Sequence, residues 1–184
     1  VDAQKGQRVL ELGCGVGAVI FSLMSRIPGL SVVGIEAQKQ YAQLAVHNAS
    51  HNCFKAEIIQ CDFNSIPQIY KNVHYDYVLL NPPFFSKQSV KLRNFSKDIA
   101  KRESIHSLDD WINTAIKRCA VKGEIIIIHQ VERLSQILKS FDKKIGDVKI
   151  LPIASFRGEN AKRIIVKGKK GSASPLKILP PLVL

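Results

Sequence analysis

Residues 81–84 read Asn81-Pro82-Pro83-Phe84 and follow the apolar run Tyr75-Asp76-Tyr77-Val78-Leu79-Leu80. Neither proline offers a backbone N–H, and each holds the residue before it extended, so a strand entering this tetrad must stop there. It leaves an amide, a rigid carbonyl and an aromatic ring at a strand's carboxyl end, the rim where open α/β sheets bind ligands. The set suits a flat amine: Asn81 Oδ1 and the Pro82 carbonyl accept its two hydrogens, and Phe84 stacks on its face. The same residues also read as a Pro-Pro turn that closes a core strand, with Phe84 packed beneath a loop.

Upstream, Gln7-Arg8-Val9-Leu10-Glu11-Leu12 predicts a first strand, followed by Gly13-Cys14-Gly15-Val16-Gly17 and an apolar helix. Glycines at such a junction permit positive φ and close approach of a ligand to the backbone. Val32-Val33-Gly34-Ile35-Glu36 predicts a second buried strand whose terminal acid lies 19 residues after Gly17, where a carboxylate can hold both hydroxyls of a ribose. Gly13, Gly15 and Ala18 also fit a dinucleotide-binding fingerprint, so two cofactor classes stay open on these residues. Glu11 bears on that choice: an acid beside the loop repels a pyrophosphate and favours the ammonium and sulfonium of S-adenosylmethionine. Asp62, after a third short strand, is placed to accept a hydrogen bond from an adenine amine.

The spaced set Glu11, Gly13, Gly15, Gly17, Glu36, Asp62 and Asn81-Pro82-Pro83-Phe84 resembles that of the class I S-adenosylmethionine-dependent N-methyltransferases. Further text is similar to the bacterial tRNA(Val) adenine-N6-methyltransferases: Ala100-Lys101-Arg102-Glu103, Leu108-Asp109-Asp110-Trp111, the stretch 161–171 and Pro180-Pro181-Leu182-Val183-Leu184. Phe84 stands where tyrosine is common, and Lys169 where arginine is more usual. The resemblance implies methylation of an exocyclic adenine N6 in the anticodon loop of a tRNA, with S-adenosylmethionine as cofactor. Members usually carry an N-terminal segment over the cofactor, so the expectation is one domain, 1–184, lacking that segment.

Alternating strand and helix patterns must position these residues. Strands are predicted near 7–12, 31–35, 56–60, 75–80 and 123–128, with helices near 18–26, 38–50, 107–120 and 131–144. In the second helix Tyr41, Leu44, Ala45 and Asn48 share one face at helical spacing. Strands at 147–153 and 162–168, with no helical pattern between them, predict an antiparallel hairpin. The expected fold is a Rossmann-like seven-stranded, mostly parallel sheet ending in that hairpin.

The 184 residues suffice for one core, and no apolar run approaches the ~20 residues that span a bilayer. Cys14, Cys53, Cys61 and Cys119 have no metal-site spacing and read as reduced, cytoplasmic and core-filling. Neither a metal nor a membrane partner is expected, and the expected state is a monomer. The net charge of +12 is uneven. Residues 1–85 balance to zero, while Lys87, Lys91, Arg93, Lys97, Lys101 and Arg102 make 86–103 net +4. Arg157, Lys162, Arg163, Lys167, Lys169, Lys170 and Lys177 make 157–184 net +6. Such clustering suits a polyanion, here tRNA, and all but Lys167 and Lys177 are expected to contact it. His106 and His129 are weaker candidates for acid–base work. Two rival classes remain: a protein glutamine N5-methyltransferase, whose amide acceptor is similarly conjugated, and a non-catalytic RNA-binding module.

Overall fold

Five apolar runs form parallel strands in the computed structural model, which describes residues 1–83 and 106–184. They are β1 (Arg8–Leu12), β2 (Ser31–Glu36), β3 (Ala56–Gln60), β4 (Tyr75–Leu80) and β5 (Cys119–Gln130). Around them lie α1 (Ala18–Arg26), α2 (Lys39–His51), the short α3 (Gln68–Lys71), α4 (Leu108–Arg118) and α5 (Leu134–Phe141). Strands β6 (Ile145–Ala154) and β7 (Arg163–Lys170) complete the order β3-β2-β1-β4-β5-β7-β6, with β7 antiparallel to both neighbours. This is the doubly wound class I methyltransferase sheet with its antiparallel end. Two short strands, β8 (Lys177–Ile178) and β9 (Leu182–Val183), extend it to nine by pairing parallel with β6.

Strand alternation divides the core into two layers. Leu10 and Leu12 face Ile112, Ile116 and Ile137 of α4 and α5, while Val9 packs with Ile20 and Phe21 of α1. The boundaries of α1 match the sequence expectation, but α2 turns a different face inward. Ala42, Ala45 and Ala49 are its buried residues, whereas Tyr41 and Leu44 are 41% and 47% exposed. A stripe of alanines lets the helix lie close to the sheet, and bulkier side chains there would hold it away. β5 begins at Cys119 rather than Gly123, so α4 ends earlier than its pattern suggests.

The length of β7 separates the C-terminal basic residues, and its antiparallel sense decides which of them lie at the cavity end. Arg163 pairs with Gln130 at the carboxyl end of β5, and Lys169 pairs with Glu124 near the other end. At about 3.3 Å per residue, Arg163 and Lys170 lie about 23 Å apart, at opposite edges of the sheet. Lys170 is also committed locally: its Nζ donates to the carbonyls of Ile116 (2.7 Å) and Cys119 (2.8 Å), capping the end of α4. Lys167 Nζ is held by Glu124 (2.9 Å) and Asp2 (2.7 Å). The basic residues of 157–170 thus fall at both ends of β7. Lys169 and Lys170 belong to the far edge, and Lys170 serves the fold.

Replacing Lys170 with Met keeps the stem and deletes both charge-assisted bonds. The expected outcome is a loss of about 1–2 kcal/mol of unfolding free energy, read from urea denaturation midpoints at constant m-value.

Candidate functional site

A cavity of about 520 Å³ opens at the carboxyl ends of the parallel strands, a size in the range of small-molecule sites. One wall carries Gly13, Glu36, Asp62, Phe63 and Trp111, and the other carries Asn81, Pro82, His129, Arg133 and Gln136. The topology thus brings the strand-end acids and the Asn-Pro-Pro segment to one space.

Glu36 ties the first wall together. Its carboxylate accepts from Gly15 N–H through Oε2 (3.0 Å) and from Gln38 N–H through Oε1 (2.7 Å). Only 6% exposed, it links the glycine loop after β1 to the turn after β2. The Ile35 carbonyl accepts from Gly13 N–H (2.7 Å) and Cys14 N–H (2.9 Å), doubling that link. Gly13 and Gly17 are required on two counts. Their φ values are +70° and +85°, and a Cβ would lie 2.8 Å from Trp111 Cη2 at Gly13 and 2.1 Å from the Phe21 ring at Gly17. At Gly15, φ is +56° and the space about a Cβ is open.

Glu11 occupies a different place from the loop-facing one expected. It shares the α1 face of β1 with Val9, is 2% exposed and is not among the cavity-lining residues. Burial pushes its carboxyl from the ordinary 4.5 up to about 8, against a lowering hydrogen bond from the Ile20 backbone, and Glu36 raises it further. Glu11 Oε2 is buried without a hydrogen-bond partner. Burial likewise raises the Cys14 thiol to about 12, which makes it inert packing at neutral pH.

Asp62 caps the short turn Phe63–Ser65, accepting Asn64 N–H through Oδ1 (2.8 Å). Its Oδ2 lies 2.6 Å from His106 Nε2, and His106 Nδ1 lies 3.0 Å from the Asn64 amide. Phe63 joins His106 and Trp111, with ring centroids 4.6 and 4.3 Å away. Sequence reasoning missed this aromatic wall. Its signal was Ser107-Leu108-Asp109-Asp110: Ser107 Oγ accepts Asp110 N–H (3.2 Å) and Asp110 accepts Ser107 N–H (2.8 Å). That capping box starts α4 so that Trp111 falls in its first turn, over Gly13.

On the second wall, Asn81 is exposed and Pro82 buried at the end of β4. His129 is 3% exposed, and Gln130 N–H donates to its Nδ1 (2.8 Å). Burial, then the charge of Arg133, lower its pKa to about 4, so it is neutral at physiological pH. Arg133 and Gln136 are further cavity residues that the sequence reading did not single out. Arg157, Lys162 and Arg163 are exposed at the same sheet edge as the cavity, beside Phe156, which is 67% exposed. Phe84 and Lys87, Lys91, Arg93, Lys97, Lys101 and Arg102 lie outside the described residues. Among the described residues no cluster of His, Cys, Asp and Glu could hold a metal ion, and no helix is long and apolar enough to cross a membrane.

Comparison with known proteins bears on this site. The family model described as the methyltransferase small domain matches residues 1–150. A curated relative, the tRNA1(Val) (adenine(37)-N6)-methyltransferase of Yersinia enterocolitica, is 27% identical over 132 residues, 70% of this chain and 51% of its own length. The chain spans about half the length of the curated relatives it matches. Among solved structures, a predicted O-methyltransferase from Agrobacterium tumefaciens superposes with a TM-score of 0.79 at 22% identity, over 100% of this chain and 83% of that one. A putative class I S-adenosylmethionine-dependent methyltransferase from Listeria monocytogenes gives 0.69 at 14% identity, over 97% and 60%. Likeness at these identities establishes the fold.

The raised carboxyl of Glu11 has a measurable consequence. Between its ordinary value of 4.5 and about 8 the folded protein holds a proton that the unfolded chain has released, so stability falls as pH rises through that window. Glu11→Gln removes this contribution. In ligand-free protein, urea midpoints from pH 5 to pH 8 are expected to decline less steeply for the variant than for the parent.

Proposed function

Because this chain belongs to the methyltransferase small domain family, we propose that it methylates an exocyclic adenine N6 in tRNA, in the anticodon loop of a valine tRNA. S-adenosylmethionine is the methyl donor of this fold class. Two observations support a fit to it. Glu36 presents a buried carboxylate that holds the glycine loop from beside it, which favours a cationic ligand over a pyrophosphate. The rings of Phe63 and Trp111 offer apolar surface next to Asp62.

In this reading Glu36 holds the ribose hydroxyls, the backbone at Gly13, Gly15 and Gly17 lies along the cofactor, and Asp62, oriented by Asn64 and His106, accepts from its adenine amine. When bound, the cofactor supplies a methyl made electrophilic by the sulfonium. Asn81 Oδ1 and the Pro82 carbonyl accept the two hydrogens of the acceptor amine and raise electron density on its nitrogen. Pro83 keeps that carbonyl rigid, and Phe84 stacks on the base. Most of the acceleration comes from in-line placement, worth about 7–11 kcal/mol. His129, whose pKa is lowered to about 4, is too weak a base to take the excess proton at neutral pH, and the proton passes to water. The target base leaves its stack to enter, which a single-stranded loop makes less costly.

The observation that carries this reading is the placement of Asn81 and Pro82 across one cavity from Glu36 and Asp62. Arg157, Lys162 and Arg163, on the cavity side, suit a path for the RNA backbone, and this favours nucleic acid over a protein glutamine as acceptor.

The deciding experiment supplies labelled S-adenosylmethionine and total tRNA to the full-length protein, followed by nucleoside mass spectrometry; N6-methyladenosine is the expected product. Asn81→Ala is expected to lower kcat about 10²–10³-fold with unchanged affinity for S-adenosylhomocysteine. Glu36→Gln is expected to do the opposite. It should weaken S-adenosylhomocysteine binding by about 1.5–3 kcal/mol in calorimetry. Turnover near the parent's without Asn81 would make the tetrad structural.

A further inference from the structure

We propose that Arg133 is the phosphate-binding residue of the acceptor half of the cavity, holding the phosphodiester next to the nucleotide that enters. This rests on the nucleic-acid reading above and adds to it a residue that selects a nucleotide over a peptide amide.

Arg133 ends the short turn Val131–Arg133 that follows β5 directly, and its half-buried side chain lines the cavity with Asn81, His129 and Gln136. Its Nη1 donates to the neutral Gln136 Oε1 at 3.2 Å. A guanidinium has five N–H donors, and among the described residues this is the only bond Arg133 makes. Gln136 is tied in turn to an acid of α4. Asp109 accepts from Gln136 Nε2 (3.1 Å) through Oδ2 and from the Ser140 hydroxyl through Oδ1. Gln136 thus bridges the guanidinium and Asp109. Glu132, the next acid, is exposed, and His129 supplies no negative charge. A partly desolvated cation that has no ion pair among the described residues is costly, and an anionic ligand relieves that cost.

Position within the sheet indicates which ligand carries the anion. The glycine loop, Glu36 and Asp62 follow β1, β2 and β3, whereas Arg133 follows β5 on the far side of β4. At about 4.8 Å per strand, β5 lies about 10 Å from β1, with Asn81 at the end of β4 between them. A methyl passing at Asn81 has its donor on the β1 side and its acceptor on the β5 side. The anion at Arg133 therefore belongs to the acceptor. A nucleotide carries such an anion beside its base, and a glutamine side chain does not.

The test uses full-length protein and a tRNA transcript, with steady-state kinetics over a series of salt concentrations for the parent, Arg133→Gln and Arg133→Lys. In Arg133→Gln, KM for tRNA is expected to rise roughly tenfold. The slope of log(kcat/KM) against log salt should flatten by about 0.7–0.9, one phosphate's worth. Arg133→Lys should recover the slope, and S-adenosylhomocysteine affinity by calorimetry should match the parent in both variants. An unchanged slope in Arg133→Gln would overturn the inference, and so would a fall in S-adenosylhomocysteine affinity, which would assign the guanidinium to the cofactor's carboxylate. If the parent itself leaves tRNA unmethylated, the parent reading fails and this one with it. A methylating parent with an unaltered Arg133→Gln slope removes this inference alone.

Discussion

The site depends on one buried carboxylate. Glu36 joins the glycine loop to the turn after β2, taking Gly15 N–H on one oxygen and Gln38 N–H on the other. Backbone donors at a strand-to-helix junction have no partner inside the helix, and an anion at that point satisfies them electrostatically. With the loop held this way, Gly13 comes under the Trp111 ring and Gly17 against Phe21, so the glycines answer to packing as well as to φ.

The two buried acids are not equivalent. Glu36 is surrounded by N–H donors, whereas Glu11, one strand away and on the α1 face, has an oxygen with no partner and a carboxyl raised to about 8. Paired acids held in unlike environments create a region whose charge responds to what binds beside it. A cationic ligand lowers the cost of ionising Glu11.

Sheet direction governs the outer surface. Because β7 spans the sheet, a basic segment that is continuous in sequence is split between its two ends, and the antiparallel direction puts Arg163 at the cavity end and Lys170 at the other, where it caps α4. The acceptor wall is organised differently. Asp109 on α4 positions Gln136 on α5, and Gln136 positions Arg133, so the packing of two helices sets the direction of one guanidinium.

Local chemistry determined much of this protein. The tetrad at 81–84 ends β4 because prolines lack N–H donors, the glycines at 13, 15 and 17 mark a junction needing positive φ, and the acids at 36 and 62 follow short apolar strands. Each is a property of a few consecutive residues, and the fold class follows from their alternation. The tertiary structure decided what depends on neighbours distant in sequence. It turned the alanines of α2 inward instead of Tyr41 and Leu44, because available depth at the sheet is a property of the sheet. It placed Trp111 over Gly13 and His106 on Asp62, pairs separated by a long stretch of chain, whose proximity no periodicity encodes. Strand direction decided which basic residues lie at the cavity end, and charge counted along a sequence carries no information about direction.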